Sequence, residues 1–392
     1  MSYKCRVCGS SSVYEILDMG AMPLAGDFRP MGMKNQLFPL VIDGCESCGV
    51  LQVRDIVDQS LLFGPAYCYA TSTVPGLVRH FESYAGSFAS RYGIGSKRKV
   101  LEIGCNDGVF LAPLSKYGFD VVGIDASDNV ANMAREKGLD VHTGFFGPDK
   151  ARQLADQYGK FDIVTCSNVF AHNPKVNDFI EAVASLLDKE GEFWVEVHSA
   201  HDLFTGLQWD CFYHEHCFYW TIQALERCLG TFGFALKDYE TTPMHGGALR
   251  AVFGKVGKTV PLVAQSLSSD DWRGFGQNCF KSRDVLRECV QHLPINYAYG
   301  AAGRAVTLIN WAQIAGSLDF VVDGSPLRFN NAIPNTTVPI ISEKEFFSLT
   351  NVSDWCLVSA HNYFEGIRNK VDAAFPDKKM KYVLPLPYVS IK

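Results

Sequence analysis

Two cysteine pairs constrain this chain before anything else does. Cys5-Arg-Val-Cys8 and Cys45-Glu-Ser-Cys48 stand 36 residues apart, and a two-residue spacing turns both thiolates of a pair onto one face of a tight knuckle. Two knuckles complete a closed tetrahedral shell of four sulfurs, the ligand set of a zinc ribbon, where metal binding supplies folding free energy. Cys5, Cys8, Cys45 and Cys48 are therefore read as ligands of one structural Zn2+, with no coordination position left open for chemistry. Free buried thiols and disulfides are the rivals. The N-terminus has no basic head followed by an apolar run, and no apolar stretch approaches the ~20 residues that cross a bilayer. A cytoplasmic, reducing setting is expected, in which pairs at this spacing are assigned to metal and the other nine of the thirteen cysteines to scattered small hydrophobes. Between the knuckles, Leu17 to Ala25 reads as a loop-rich apolar segment that packs the module.

The remaining length allows two or three domains at about 100–200 residues each. A net charge of −6 leaves no overall basic field for a polyanion, so nucleic acid is a poor partner. The expected organisation is a zinc-binding module over 1–70, a central domain over 71–257, and a smaller Rossmann-like domain with a helical lead-in over 258–392. The fold class is α/β.

In the second region Lys99-Val-Leu-Glu-Ile-Gly104 is a short apolar strand, Cys105-Asn-Asp-Gly108 a turn, and Val109 to Tyr117 an amphipathic helix. The next strand, Asp120-Val-Val-Gly-Ile-Asp125, ends in an acid. That order is the opening of a doubly wound nucleotide-binding sheet, in which glycine lets the backbone approach the ligand and the second-strand carboxylate accepts ribose hydroxyls. The turn lacks the third glycine of the dinucleotide fingerprint, and no phosphate-binding Lys-Ser/Thr follows. It fits S-adenosylmethionine (SAM), with Glu102, Gly104, Asn106, Gly108 and Asp125 as cofactor-binding candidates. Phe161-Asp-Ile-Val-Thr-Cys166 runs as a further strand into Asn168-Val-Phe-Ala-His172, where Asn168 borders the cofactor and His172 the substrate. A helix cap and a packing residue are the plainer reading of that pair. Gly191 to Glu196 supplies another strand before Tyr213-His-Glu-His216. Beyond it, Lys258 to Leu293 is polar and helix-compatible, and Tyr299-Gly-Ala-Ala-Gly-Arg304 with Leu318-Asp-Phe-Val-Val-Asp323 repeats the strand, glycine and helix pattern.

The chain resembles the nucleotide-sugar C-methyltransferases of deoxysugar pathways along nearly its whole length. The shared features are both knuckles with Pro23-Leu-Ala25, Tyr67-Cys-Tyr69 with Thr71-Ser72, the SAM turn, Asn168 to His172, Tyr213 to His216, His245-Gly-Gly247 with Arg250, Tyr299 to Arg304, and Asp323-x-x-Pro326. The resemblance implies methylation of the ring carbon beside the ketone of a nucleoside-diphosphate 4-keto-6-deoxysugar, C3 rather than C5, with His216 as the base. The chemistry suits the residue types. A carbon becomes nucleophilic only after its proton leaves as an enolate, and histidine is the side chain whose pKa of ~6.5 fits a base near neutrality. Glu215 orients an imidazole or a sugar hydroxyl, Tyr213 donates to the enolate oxygen, and Tyr67 and Tyr69 close the pocket. His245, Gly246 and Arg250 offer backbone amides and a guanidinium to a phosphate, and Arg304 marks a nucleotide-facing turn.

Plainer readings stand beside these: an aromatic core holding satisfied imidazoles, a bulged strand at His245 to Arg250, and a second Rossmann turn used for packing. Two departures fall in the last lobe. Leu327 to Asn335 replaces a Gly-rich loop of the family, and Ser359-Ala-His-Asn362 replaces Ala-Trp-Asn. The competing functions are a SAM-dependent O-methyltransferase, a zinc-ribbon rRNA methyltransferase, which the acidic charge disfavours, and a non-catalytic scaffold, which would not need both Glu102 and His216. A nucleotide-linked keto sugar is the expected partner, without nucleic acid or membrane, on a monomer or weak oligomer.

Overall fold

A computed structural model describes residues 3–63, 70–255, 257–263 and 266–392 of the chain; Tyr67 and Tyr69 lie outside them. The zinc module is built on strands β1 (Val13–Pro23), β2 (Leu37–Cys45) and β3 (Leu51–Val53), paired antiparallel in that order. The segment expected to be a loop from Leu17 to Ala25 is thus mostly the second half of β1. Its apolar residues Leu17, Met19 and Met22 are buried against the rest of the molecule. What hides the strand from a pattern reading is a bulge: pairing shifts between Asp18 and Ala21, where the Asp18 carboxylate accepts the Gly20 N–H at 2.8 Å and Gly20 sits at φ 74°. That backbone region is open to glycine at no steric cost, and the extra residue breaks the two-residue alternation.

Helix α1 (Pro75–Tyr92) starts on a proline, whose missing N–H costs nothing in a first turn. It buries Phe81, Tyr84, Ala85 and Phe88 against Val100, Phe110 and Trp194. The central sheet follows as β4 (Lys99–Ile103), β5 (Asp120–Asp125), β6 (Asp140–Thr143), β7 (Phe161–Ser167) and β8 (Leu187–His198). A two-residue strand, β9 (Phe218–Tyr219), comes next but belongs elsewhere, and β10 (Ala235–Thr242) and β11 (Ala248–Gly254) complete this sheet. The spatial order is β10-β11-β8-β7-β4-β5-β6. Strands β4 to β8 pair parallel and β10 and β11 antiparallel. The order reverses between β4 and β7, so the crevice at the carboxyl ends of those strands is where a ligand fits.

The polar lead-in is one long helix, α2 (Ser269–His292), opened by a reciprocal capping box between Ser268 and Asp271. Behind it lies the second sheet. It contains β12 (Tyr297–Tyr299), β13 (Phe320–Asp323), β14 (Ile340–Ser342), β15 (Trp355–Val358), β16 (Lys381–Leu384) and β17 (Ser390–Ile391). Their order is β14-β13-β12-β15-β16-β17, parallel except at the last pair. This is the smaller Rossmann-like fold the glycine turn implied.

The zinc module is wedged between the two sheets. Its knuckle residues Cys5, Val7, Cys45 and Cys48 share one apolar core with Phe170, Leu225 and Cys228 of the central domain. Ile16, Met19, Leu40 and Ile42 share another with Trp272, Phe275, Val306 and Ile333. The altered Leu327 to Asn335 loop is tied to the module too: Arg29–Pro30 pairs with Asn331–Ala332, and Asn35 Oδ1 accepts the Asn335 N–H at 2.7 Å. Among the described residues, no helix is long and apolar enough to cross a membrane.

Candidate active site

The four cysteines of the knuckles have their sulfurs within 4.8 Å of one another, with Cys5 Sγ to Cys48 Sγ at 3.7 Å and Cys8 Sγ to Cys45 Sγ at 3.6 Å. Neither separation is an S–S bond, which is ~2.05 Å, and the four-sulfur donor set fits tetrahedral zinc. The pairing across knuckles is the one a shared ion requires.

At the carboxyl ends of β4 and β5, the crevice is acidic. Glu102 is buried, and its Oε2 has no partner among the described residues. Burial, with Asp125 and Asp107 close by, pushes its carboxyl well above the usual range. Asp125 accepts the backbone N–H groups of Asn106 and Ser127, each at 2.8 Å, so both oxygens are oriented by the chain itself. Asn106 lies at φ 49° and its side chain accepts the Thr71 N–H at 2.9 Å, while Asp107 accepts that of Ser72 at 3.2 Å. The turn therefore also anchors the start of α1. Asp107, which is fully buried, was missed in the sequence; an acid between two turn residues gives no sign of which backbone it caps.

Gly104 is fixed by packing as much as by any ligand. It sits at φ 74°, and a Cβ there would lie 2.1 Å from Cγ2 of Val169. Gly104→Ala is expected to destabilise the domain by about 2–4 kcal/mol, combining left-handed strain with overpacking, and to weaken SAM binding. Thermal unfolding and titration calorimetry test this; unchanged values in both would refute the packing argument.

A column of rings stands beyond β7. Phe63 stacks on His172 (5.3 Å, 20°), which stacks on His216 (5.0 Å, 21°). The Tyr213 ring lies 4.5 Å from that of His216, and Tyr219 meets it edge-on at 5.5 Å. His216 Nδ1 is buried without a partner among the described residues. Burial, then the nearby imidazoles of His172, His198 and His245, holds its pKa well below 6.5. His172 and His245 are each pulled down to about 4 by burial, and His198 to about 3 by burial and then by Arg304. Four neutral imidazoles are thus gathered at one strand edge. His198, at the end of β8, had no motif to mark it. Beside His216, Glu215 accepts the Gly26 N–H on Oε1 at 3.1 Å, its Oε2 is buried and unpartnered among the described residues, and burial raises its carboxyl to about 7.

Asn168 stands at φ 57°, its N–H bonded to the Glu196 carbonyl at 2.8 Å, at the mouth of the crevice after β7. His245 and Gly246 form a short turn between β10 and β11, with Gly246 O accepting from Gln208 Nε2 at 2.7 Å. The two arginines are each paired with carboxylates. Arg250 donates to Glu196 from Nε (3.1 Å) and a terminal nitrogen (2.7 Å) and to Glu240 at 2.6 Å, and it lies 3.5 Å over the Tyr84 ring. Arg304 grips Asp210 bidentately at 2.9 and 2.7 Å and donates to the His245 carbonyl at 2.9 Å, with His361 Nε2 at 3.0 Å from the same guanidinium. Glu196 and Asp210, the carboxylates that hold each guanidinium at two nitrogens, lie 54 and 94 residues away in sequence.

Three known families match the chain in sequence order: a zinc binding domain over residues 5–63, a methyltransferase domain over 78–238, and a C-methyltransferase C-terminal domain over 243–387. C-methyltransferase NovU of Streptomyces niveus is 26% identical over 98% of this chain and 95% of its own. Ubiquinone biosynthesis O-methyltransferase of Bordetella avium is 33% identical, over 25% of this chain and 41% of its own. A SAM-bound crystal structure of magnesium protoporphyrin IX methyltransferase from Synechocystis PCC 6803 covers 45% of this chain and 79% of that one, at 19% identity and a TM-score of 0.35. With an acidic crevice at the carboxyl ends of the strands, a four-sulfur site that fits zinc and three family matches in order, the chain is a SAM-dependent methyltransferase whose C-terminal part matches the C-methyltransferase C-terminal domain.

Proposed function

We propose that the enzyme methylates the carbon beside the ketone of a nucleoside-diphosphate 4-keto-6-deoxysugar, C3 in preference to C5. The observation that carries this reading is the neutral, half-buried His216, set in a column of rings with an unpartnered nitrogen. An imidazole kept uncharged is ready to accept a proton, and its low basicity is offset when an enolate develops beside it and favours the imidazolium. Bound SAM supplies the methyl group. The protein's own part is to hold the sugar with its acidic C–H toward His216, to present Tyr213 as a donor to the enolate oxygen, and to keep water out. Glu102 and Asp125 are the groups for the cofactor's hydroxyls. Arg304 and Arg250 act as positioning residues, the first behind the His245 turn and the second under α1, and His172 and His245 line the sugar side.

Glu215 has two contributions in this scheme: its free oxygen accepts a sugar hydroxyl, and its charge supports the imidazolium of its neighbour. Because its carboxyl titrates near 7, kcat/KM is expected to fall on the acid side of an inflection there. Glu215→Gln should remove that limb and lower the plateau about tenfold. A pH profile in which the limb survives the substitution would assign it to another group.

The functional test incubates enzyme and SAM with dTDP- and GDP-4-keto-6-deoxysugars in deuterated water and reads the sugar by mass spectrometry. A product one methylene heavier, with deuterium washed into the recovered substrate beside the ketone, supports carbon methylation through an enolate. The second reading is O-methylation, since a neutral imidazole deprotonates an alcohol as well; methyl gain without deuterium wash-in would select it.

A further inference from the structure

The segment that carries His216 is built into the zinc module's sheet. Strand β9 is the fourth strand there, with Phe218 opposite Gln52 and Tyr219 opposite Leu51, and the Cys217 carbonyl accepts the Val53 N–H at 3.0 Å. On the near side of His216, His214 is 2% exposed. Its Nε2–H donates to the Pro39 carbonyl at 3.2 Å, and its ring meets Phe38 edge-on at 5.9 Å. Glu215 takes the Gly26 N–H. Every residue from His214 to Tyr219 except His216 itself and the Cys217 side chain is thus tied to the module by a bond or a strand pairing, and the Cys217 thiol donates to the His172 carbonyl at 3.3 Å.

Strand β3 is in turn held by the knuckles. The Arg6 N–H, between Cys5 and Cys8, donates to Gln52 Oε1 at 3.1 Å, and its guanidinium donates to the Val53 carbonyl at 2.6 Å and to that of Arg54. The second knuckle closes directly onto β3, with the Cys45 N–H on the Val50 carbonyl at 3.0 Å. Bonds internal to the loop among the described residues include His216 N–H to the Tyr213 carbonyl and Tyr213 N–H to the Tyr219 hydroxyl, both 3.2 Å. With His214, Glu215, Cys217 and the β9 pair all bonded to the module, the loop takes its conformation in large part from what it is docked on, alongside the ring contacts of His216 with Tyr213 and Tyr219.

We propose that the zinc module is the positioning frame of the catalytic loop: the closed four-cysteine site fixes β3, β3 fixes β9, and His214 locks the approach to His216 as a positioning residue. Metal loss then releases the loop locally while the central and C-terminal sheets stay folded. The inference concerns loop geometry alone and stands apart from which acceptor is methylated.

Amide hydrogen exchange on the full-length, zinc-loaded protein tests it, before and after a zinc chelator and again after zinc is restored. The expected result is loss of protection over 213–219 together with 37–53, return on zinc addition, and little change over 297–323. Protection of 213–219 that survives while 37–53 opens, or a uniform loss across all three segments, would overturn the proposal. A second arm leaves the cysteines alone. His214→Leu, with zinc content still one per chain, should speed exchange over 213–219 by about fivefold, the worth of one hydrogen bond, and leave the SAM Kd within about twofold. His214→Gln, whose Nε2 can still reach the Pro39 carbonyl, should restore the wild-type rate. Wild-type exchange in the Leu variant, or no rescue by Gln, would reject His214 in this role.

Discussion

Replacement of His216 by Asn is expected to lower kcat by about 10²–10⁴-fold, the range of a lost general base, with SAM affinity changed less than about twofold. The asymmetry follows from the geometry. The acids of the cofactor crevice, Glu102 and Asp125, lie on β4 and β5, whereas His216 stands in the Phe63-His172 column on a loop held by the zinc module. Asn is polar and smaller, so it fits the space of the imidazole and the loop keeps its anchors at His214 and Glu215. Deuterium wash-in at the sugar carbon must disappear along with turnover, because both begin with removal of the same proton. Wash-in that persists at the wild-type rate in the Asn variant would move the base to Glu215 or His172. If wash-in stops while methyl transfer continues, the acceptor is a hydroxyl.

What could be read before any coordinates, and what could not, divides by the range of the interactions. The turn from Leu101 to Gly108 and the acid Asp125 were legible because their chemistry is local: a strand, a left-handed glycine and a second strand end nineteen residues past Asn106. The knuckles were legible for the same reason. An arginine near glycines suits a phosphate, and nothing in the sequence around Arg250 or Arg304 announces Glu196 or Asp210 as the ion-pair partner. The second of those was hidden in Trp209-Asp-Cys211, where a carboxylate inside an apolar run demands a partner without naming it. The docking of β9 was illegible because two residues in an aromatic run carry no periodicity. One departure from the family pattern now has a physical account. His361, in Ser359-Ala-His-Asn362, places Nε2 3.1 Å from Asp210 Oδ2 and 3.0 Å from the Arg304 guanidinium, so the altered segment completes a buried cluster between the two sheets.

That cluster sets the second large effect. Asp210→Ala is expected to destabilise the protein by about 3–5 kcal/mol, since removing one partner strands the other charge where little water reaches it. Asp210 is fully buried, and the Arg304 side chain is 15% exposed. Burial alone would raise the Asp210 carboxyl, yet Arg304 and His361 together hold it well below the usual range. Because the folded carboxyl is the stronger acid, its contribution is present above the unfolded value of ~3.9 and is lost as pH falls below it. The deficit of the variant should therefore be full at pH 7 and shrink below about pH 4. Arg304 bonds Asp210, the His245 carbonyl and His361, so the damage should also reach the His245 turn and raise KM for the acceptor. Arg304→Met on the Asp210→Ala background tests whether the cost is a stranded charge or lost packing. If the charge is the cause, the double variant unfolds at a higher temperature than Asp210→Ala alone, because no uncompensated guanidinium is left between the sheets. A double variant no more stable than the single one would place the energy in packing around Trp209 and Cys211, and leave Arg304 available for the phosphate role that its sequence context suggested.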